Sequence, residues 1–502
     1  MVINMDWFSS ILSGFQIAFQ PANFLYCFLG VFLGTLIGVL PGIGPGGTIA
    51  ILLPITFGIS PVSAIILLAG VYYGAMYGGS TTSILVNIPG EASSVVTCLD
   101  GYQMARNGRA GPALGISAFG SFIGGTFSVV VLMFLVQPLA NAALKFGPPE
   151  YFSLTCLGLT LITYLARRSM VKAIAMALFG LILSTVGIDL ISGEARFAFG
   201  SPTLLDGVGI VPLAMGFFGI SEVLTNLESP IERIIFKTRI GNLLPDKEDW
   251  KRSTGPVIRG SLIGFPLGVL PGGGGVIASF VSYAVEKRLS KRPEEFGKGP
   301  IEGVAGPETA NNAGAGGAFI PLFALGIPPN VVLAILAGGL IIHGVAPGPT
   351  MLRDHPQIFW GTVASMYLGN IMLLVLNLPL ISLWIKILKV PYRILMPLII
   401  IFCLIGAYSI NNNIWDIVIM GIFGIIGYIL RKFDYEEAPL MLGFILGPIF
   451  ETAFRQSLII SNGQLSIFII RPISLLCIAV AAFLFISTGF SYYRKSKIRM
   501  TQ

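Results

Sequence analysis

Apolar runs close to the length of one membrane crossing recur from end to end of the chain, at residues 22–40, 113–135, 170–186, 395–410, 414–430 and 467–487. A helix needs about 20 mostly apolar residues to span the hydrocarbon core. Such runs leave the backbone few choices, because lipid offers no partner to a free N–H or C=O. Charged residues make up 11% of the chain and hydrophobic ones 54%, against about 25% charged in a soluble domain. The pattern predicts an all-α polytopic membrane protein of about ten to twelve transmembrane helices. It excludes a water-soluble enzyme.

The charges give direction. The formal net charge is +7, but the basic residues lie in short loops between apolar runs, as the positive-inside bias requires, and not in a nucleic-acid-binding patch. Arg106 and Arg109, Arg167, Arg168 and Lys172, residues 233–252, Lys386, Lys389 and Arg393, Arg431 and Lys432, and residues 494–499 are expected on the cytoplasmic side. No Lys or Arg precedes the first span, so the N-terminus is expected outside and the C-terminus inside. Residues 1–19 lack the basic start of a signal peptide, and 7–19 read as an interfacial helix. The polar stretch 226–251 splits the chain. The expected division is a first membrane half at 1–225, a cytoplasmic linker at 226–255, a second repeat at 256–380 and C-terminal membrane helices at 381–502. Lys287, Arg288, Lys291, Arg292 and Lys298 fit the cytoplasmic side only if residues 257–285 turn back on themselves. Pro271-Gly272-Gly273-Gly274-Gly275 lies midway. Each flank of about a dozen residues makes about 18 Å of helix, enough to reach the bilayer midplane. A re-entrant hairpin is therefore predicted.

That break has a twin. Gly38-Val39-Leu40-Pro41-Gly42-Ile43-Gly44-Pro45-Gly46-Gly47 matches Gly268-Val269-Leu270-Pro271-Gly272-Gly273-Gly274-Gly275, and Asn87-Ile88-Pro89-Gly90 is echoed by Gly326-Ile327-Pro328-Pro329. Proline removes a donor and glycine frees the chain from helical geometry. The freed backbone groups must line a protein cavity or meet a ligand. Glycines of this kind also serve close helix packing, but paired interruptions in two halves are the sequence signature of a transporter's binding site. The expected arrangement is two inverted repeats with re-entrant or broken helices. Half-helix N-termini would face an anion, and the loops at Pro41, Gly42, Gly44, Pro271, Gly272 and Gly273 would serve a coupling ion, with Glu308.

Polar side chains in apolar surroundings give the substrate candidates. Ser80, Thr81, Thr82 and Asn87 donate hydrogen bonds without bringing in charge, although Ser and Thr also bond back to the preceding helical turn. Asn311 and Asn312 offer donors and acceptors. Glu308 is an acid within an apolar stretch, suited to a cation or a proton, or to capping the helix after it. Tyr77 is the aromatic nearest these groups. His343 reads as a satisfied core residue. Asp100, Asp189 and Glu451 fall near span ends, within reach of water. Cys27, Cys98, Cys156, Cys403 and Cys477 show no zinc or disulfide spacing and read as packing residues. No catalytic set and no cofactor is expected.

At these motifs the sequence resembles the large permease subunit of the tripartite tricarboxylate transporters, the TctA family. The resemblance is carried by residues 34–47, 74–90, Asp100-Gly101-Tyr102 with the basic residues that follow, and 303–329. Gly-Val-Ala-x-Pro-Glu-x-Ala-Asn-Asn-Ala, at 303–313, is its most specific part. The chain departs from the family's usual Gly-Ile-Pro-Gly at Gly326-Ile327-Pro328-Pro329, and its second Pro-Gly cluster is glycine throughout 272–275. The resemblance implies a permease of the bacterial inner membrane that works with a periplasmic solute-binding protein and a small membrane subunit of about four helices. It implies import of a citrate-like di- or tricarboxylate, driven by a sodium or proton gradient. The chain has no Gly-x-x-x-x-Gly-Lys-Ser/Thr, in keeping with a secondary mechanism. The alternatives are an autonomous symporter, a channel or scaffold, and, less suited to so few histidines, an intramembrane enzyme.

Overall fold

A computed structural model describes residues 7–40, 44–164, 169–189, 191–228, 243–270, 274–388 and 392–500. The protein is an all-α, polytopic membrane protein. Among the described residues seven helices are long and apolar enough to cross a bilayer, and six shorter apolar helices accompany them. The sole sheet among them is a short hairpin pairing Gly187–Ile188 with Ala195–Arg196.

The first half opens with α1 (Trp7–Ala18), α2 (Pro21–Val39), α3 (Gly44–Leu52) and α4 (Pro61–Val86). Helix α4 starts at the N-cap Ser60, whose hydroxyl accepts from the Ser63 amide at 3.2 Å. It ends at Asn87, which takes a left-handed φ of 58°, and Pro89 follows. Its apolar stretch is 94% buried, against 44% for α2, so α4 is the central helix of the bundle. Glycines let the two backbones touch. A Cβ on Gly34 would lie 2.5 Å from the Val71 carbonyl oxygen, and one on Gly74 would lie 2.8 Å from that of Val31. Gly30 meets Leu67, Gly34 meets Val71 and Gly38 meets Ala75. The partners advance together, so α2 and α4 run parallel. The segment between them, α3 with the 3-10 turn Leu53–Gly58, must carry the chain back.

The second half repeats the plan. Helices α5 (Val95–Arg106), α6 (Ala110–Ala143), α7 (Pro148–Tyr164), α8 (Met170–Leu183) and α9 (Ile210–Glu228) lie in sequence between the two copies, and the repeat is made by α10 (Lys247–Val269), α11 (Gly274–Leu289), α12 (Glu302–Gly317) and α13 (Phe319–Leu325). Helix α10 starts with a capping box in which Asp246 accepts from the Asp249 amide at 2.8 Å. Helical structure thus begins at Lys247, inside the polar stretch read as a linker. Gly260 meets Gly306, Gly264 meets Ala310 and Gly268 meets Gly314, so α10 and α12 are parallel as well. Helix α11 folds back along α10. Gly274 abuts Leu267 near the turn, and the Arg259 guanidinium grips Glu286 at 2.8 and 2.5 Å near the open end. This is the predicted hairpin. Its basic exit lies beside the start of α10, where Arg252 pairs with Glu295 at 3.0 Å and Glu302 at 2.8 Å and Arg109 pairs with Asp249 at 2.5 Å.

The two halves are inverted. On α4, Ser80 meets Glu308 of α12, while Tyr72 packs its ring 5.7 Å from that of Phe319. One sequence rises as the other falls, so the central helices cross antiparallel. Helices α2 and α10 end where they reach Gly78 and Gly314. The hairpin tips therefore arrive from opposite ends within about one helical turn of the same level.

The remaining helices wrap this core. They are α14 (Val331–Ile342), α15 (Pro356–Asn377), α16 (Tyr392–Asn411), α17 (Ile414–Lys432), α18 (Glu437–Ile460) and α19 (Pro472–Met500). Helix α1 lies against α15, Gly14 touching Trp360. Helix α17 packs Met420 on Gly216, where α9 widens into a π-helical turn at Met215–Ile220.

Candidate functional site

Between the two tips is a cavity of about 850 Å³. Small-molecule sites run from about 300 to 1,000 Å³, so its size suits a small solute with its water. Gly44 and Pro45 come from the first hairpin, Gly275, Val276 and Ile277 from the second, and Tyr72 and Met76 from the central helix. Phe218, on the π-helical turn of α9, closes one side; such turns often mark functional positions. Asn330–Val332 and Glu436–Pro439 also line the cavity wall.

Four helices begin at this wall: α3 at Gly44, α11 at Gly274, α14 at Val331 and α18 at Glu437. Each helix start carries about half a positive charge, worth about 0.3–1 kcal/mol to a nearby anion and up to about 2 when partly buried. No Lys or Arg is among the described lining residues. A basic side chain at the centre of a membrane helix costs about 2.5–3.5 kcal/mol, and helix ends give positive potential without that cost. Asn330 caps α14 through the Leu333 amide at 3.0 Å and donates to the Tyr72 hydroxyl at 3.1 Å. At the Glu437 edge, Arg431 bonds both Glu437 and Glu222, which fixes the mouth of the cavity to α9 and α17.

Glu91 is the acid of the inner wall. Directly after Gly90 the chain turns into a short 3-10 helix at Ala92–Ser94, with Glu91 as its cap. The carboxylate accepts the Ser93 amide at 2.7 Å and also the Ser93 hydroxyl. Its other oxygen accepts the Asn311 amide of α12 at 3.2 Å. A side chain that follows α4 is thereby joined to one from the opposite repeat.

The sequence candidates separate into a lining group and a supporting group. Asn311 and Gly44 line the cavity. Ser80 faces Glu308 at 2.5 Å, and the Thr97 hydroxyl bonds the other oxygen of the same carboxylate. Ser80 also bonds back to the Met76 carbonyl at 3.1 Å. Glu308 is 1% exposed and binds α12 to α4 and α5 behind the cavity. Thr82 donates to the Val39 carbonyl at 2.8 Å, satisfying an acceptor at the end of α2. Thr81 is buried in α4 and Asn87 is exposed at its end. Asn312 turns to Ser121 of α6 at 2.7 Å. Tyr77 donates to Asn370 at 3.4 Å, and His343 meets Thr56 at 3.0 Å. Pro41, Gly42, Pro271, Gly272 and Gly273 lie outside the described residues.

Glu91, Tyr72, Asn330 and the starts of α14 and α18 escaped the sequence reading. Two signals were present. Glu91 is an acid between apolar segments, directly after a Pro-Gly break. Asn330 follows two prolines and precedes an apolar helix, the position of an N-cap.

Inverted hairpins meeting over a solute-sized cavity define a multi-pass membrane protein built on an internal repeat. The chain belongs to the tripartite tricarboxylate transporter TctA family, whose sequence profile matches residues 24–442. It is 53% identical over 476 residues to an uncharacterized 52.8 kDa protein of the TAR-I ttuC' 3' region of Agrobacterium vitis, covering 95% of each chain. A second Agrobacterium vitis protein, from the TAR-II ttuC' 3' region, is 55% identical over 208 residues, 41% of this chain and 86% of its own. No solved structure matches the chain. Membership places the protein among transport proteins and implies that further subunits accompany it.

Proposed function

We propose that the protein is the large membrane subunit that carries a citrate-like di- or tricarboxylate across the bacterial inner membrane. It receives the substrate from a periplasmic solute-binding protein, works beside a small four-helix membrane subunit, and draws on a sodium or proton gradient. The observation that supports this most is the meeting of four helix starts on one cavity between inverted hairpins. Carboxylates need positive potential and hydrogen-bond donors, and helix N-termini supply both. Asn330 and Tyr72 add neutral side chains at the same wall. Placement at a repeat interface suits alternating access, in which one bundle moves against the other.

The test is uptake of labelled citrate and smaller dicarboxylates into proteoliposomes holding this chain and its small subunit, with and without binding protein and ion gradients. Saturable uptake that needs both the binding protein and a gradient is expected. Uptake by this chain alone would make it an autonomous symporter. Flux without saturation or gradient would make it a channel. Correctly folded protein with matched partners and no uptake of any carboxylate would reject the substrate class.

A further inference from the structure

The contact between Glu91 and Asn311 is left incomplete on one side. Glu91 lines the cavity, and its carboxylate accepts from the Ser93 amide and hydroxyl, the Ser94 amide and the Asn311 amide. Among the described residues no cation stands within ion-pair distance of it. Asn311 is 1% exposed, and its donor is used on Glu91 at 3.2 Å. Its carbonyl oxygen, Oδ1, is buried and has no hydrogen-bond partner. That oxygen lies beside the second hairpin tip, where a Cβ on Gly275 would be 3.4 Å away. A buried acceptor without a donor is unfavourable, and the Glu91 carboxylate, half-buried in the cavity wall, has no counter-charge beside it among the described residues. Both deficits occur at one place, and both are removed by one positive ion with oxygen ligands.

We propose that Glu91 and Asn311 form the seat of the coupling cation, a sodium ion held by the Glu91 carboxylate and the Asn311 carbonyl oxygen. The proposal rests on the reading of this cavity as the transport site. It also explains how an acid and an anionic substrate can share one cavity. With sodium bound, Glu91 is neutralised and no longer repels a carboxylate substrate, so the ion raises substrate affinity and the substrate raises ion affinity by the same factor. Glu91 follows α4 and Asn311 sits on α12. The ion therefore bridges the inverted halves, and its binding is sensitive to their relative position.

The experiment is equilibrium binding of radioactive sodium to the purified full-length protein, without substrate or binding protein, with size-exclusion chromatography as the check on folding. Wild-type protein is expected to bind sodium saturably. Glu91→Gln and Asn311→Ala should each weaken binding by at least about tenfold, the scale on which lost support alone weakens metal sites. Asn311→Asp, which keeps an oxygen at the position, should retain binding. Glu294→Gln, on the exposed turn Pro293–Glu295, should bind as wild type does. Unchanged sodium affinity in folded Glu91→Gln or Asn311→Ala protein overturns the proposal. So does a wild-type protein that binds no sodium while its uptake follows a proton gradient; the carboxylate reading would survive that result. Glu91-dependent sodium binding without carboxylate uptake would support this site and reject the substrate class alone.

Discussion

The two inverted halves share a backbone plan and differ in what fills it. In the first, α2 and α4 are apolar apart from scattered hydroxyls and Asn23, and α4 is enclosed on all sides. In the second, α12 carries Glu308, Asn311 and Asn312, with Val304 as its only large apolar side chain. The first hairpin enters from the end of the chain that lacks basic residues, and α2 and α3 contain no charged residue. The second is clamped by Arg259 on Glu286 and by Arg252 on Glu295 and Glu302. The difference shows a division of labour. The first half supplies the central post with the Ser80 hydroxyl and, after it, Glu91; the second supplies Glu308, which accepts from Ser80, and the Asn311 amide, which donates to Glu91. The charged clamp is affordable because it sits at the hairpin's open end, where Arg259 is 39% exposed.

The severest test of the shared plan is to block both glycine seams. Gly34→Val and Gly264→Val each push a side chain into the backbone of the parallel partner. Overpacking at such contacts should cost about 3 kcal/mol or more, read as loss of the monodisperse peak in size-exclusion chromatography. If one seam tolerates valine and the other does not, the halves are not equivalent.

The joint between the halves comes next. Ser80→Ala and Glu308→Gln should not be additive, with a coupling of about 1–3 kcal/mol in a double-mutant cycle of thermal stability. Simple additivity would mean that the Ser80–Glu308 contact does not link α4 to α12.

Arg259→Ala sharpens the contrast in clamping. Glu286 is 2% exposed and would lose its partner. Solvent around Arg259 reduces the effect, which leaves an expected loss of about 1–3 kcal/mol. Hydrogen exchange should rise in α10 and α11 and stay unchanged in α2 and α3.

The smallest effect is expected outside both halves. Arg455, then the Ile191 amide, holds the Asp189 carboxyl below the usual carboxylate range. A depressed carboxyl stabilises the fold at every pH above its unfolded value of about 3.9, and that stability is lost only as pH falls through the lower folded value. Amide protection across 187–196 should therefore be equal at pH 7 and pH 5. A loss at pH 5 would contradict the pairing.

Much of this plan could be read from the sequence because breaks in apolar runs are conspicuous. The Pro-Gly motifs announced the two hairpins, and the basic residues after 286 required the second to turn back. Glycine packing, the competing explanation for those motifs, proved to hold at Gly38 and Gly268, the last glycines of each seam. The side-chain roles were harder to read. Ser80 and Glu308 are 228 residues apart, and no local pattern joins them. Asn311 and Asn312 look alike in sequence, yet neighbours on a helix point about 100° apart. One reaches the cavity and the other reaches α6. The starts of α14 and α18 were missed because their contribution depends on where the helices begin in space, which composition does not specify.

The central claim is that both tips face one substrate-filled cavity. It is tested most directly by placing Pro45→Cys and Val276→Cys, separately, in a chain whose five native cysteines have been replaced. Labelling of each by a small thiol reagent is then measured with and without a transported carboxylate. The account predicts that the substrate slows labelling at both positions over the same concentration range. Protection at only one tip, or at neither, in a variant that still transports would contradict it.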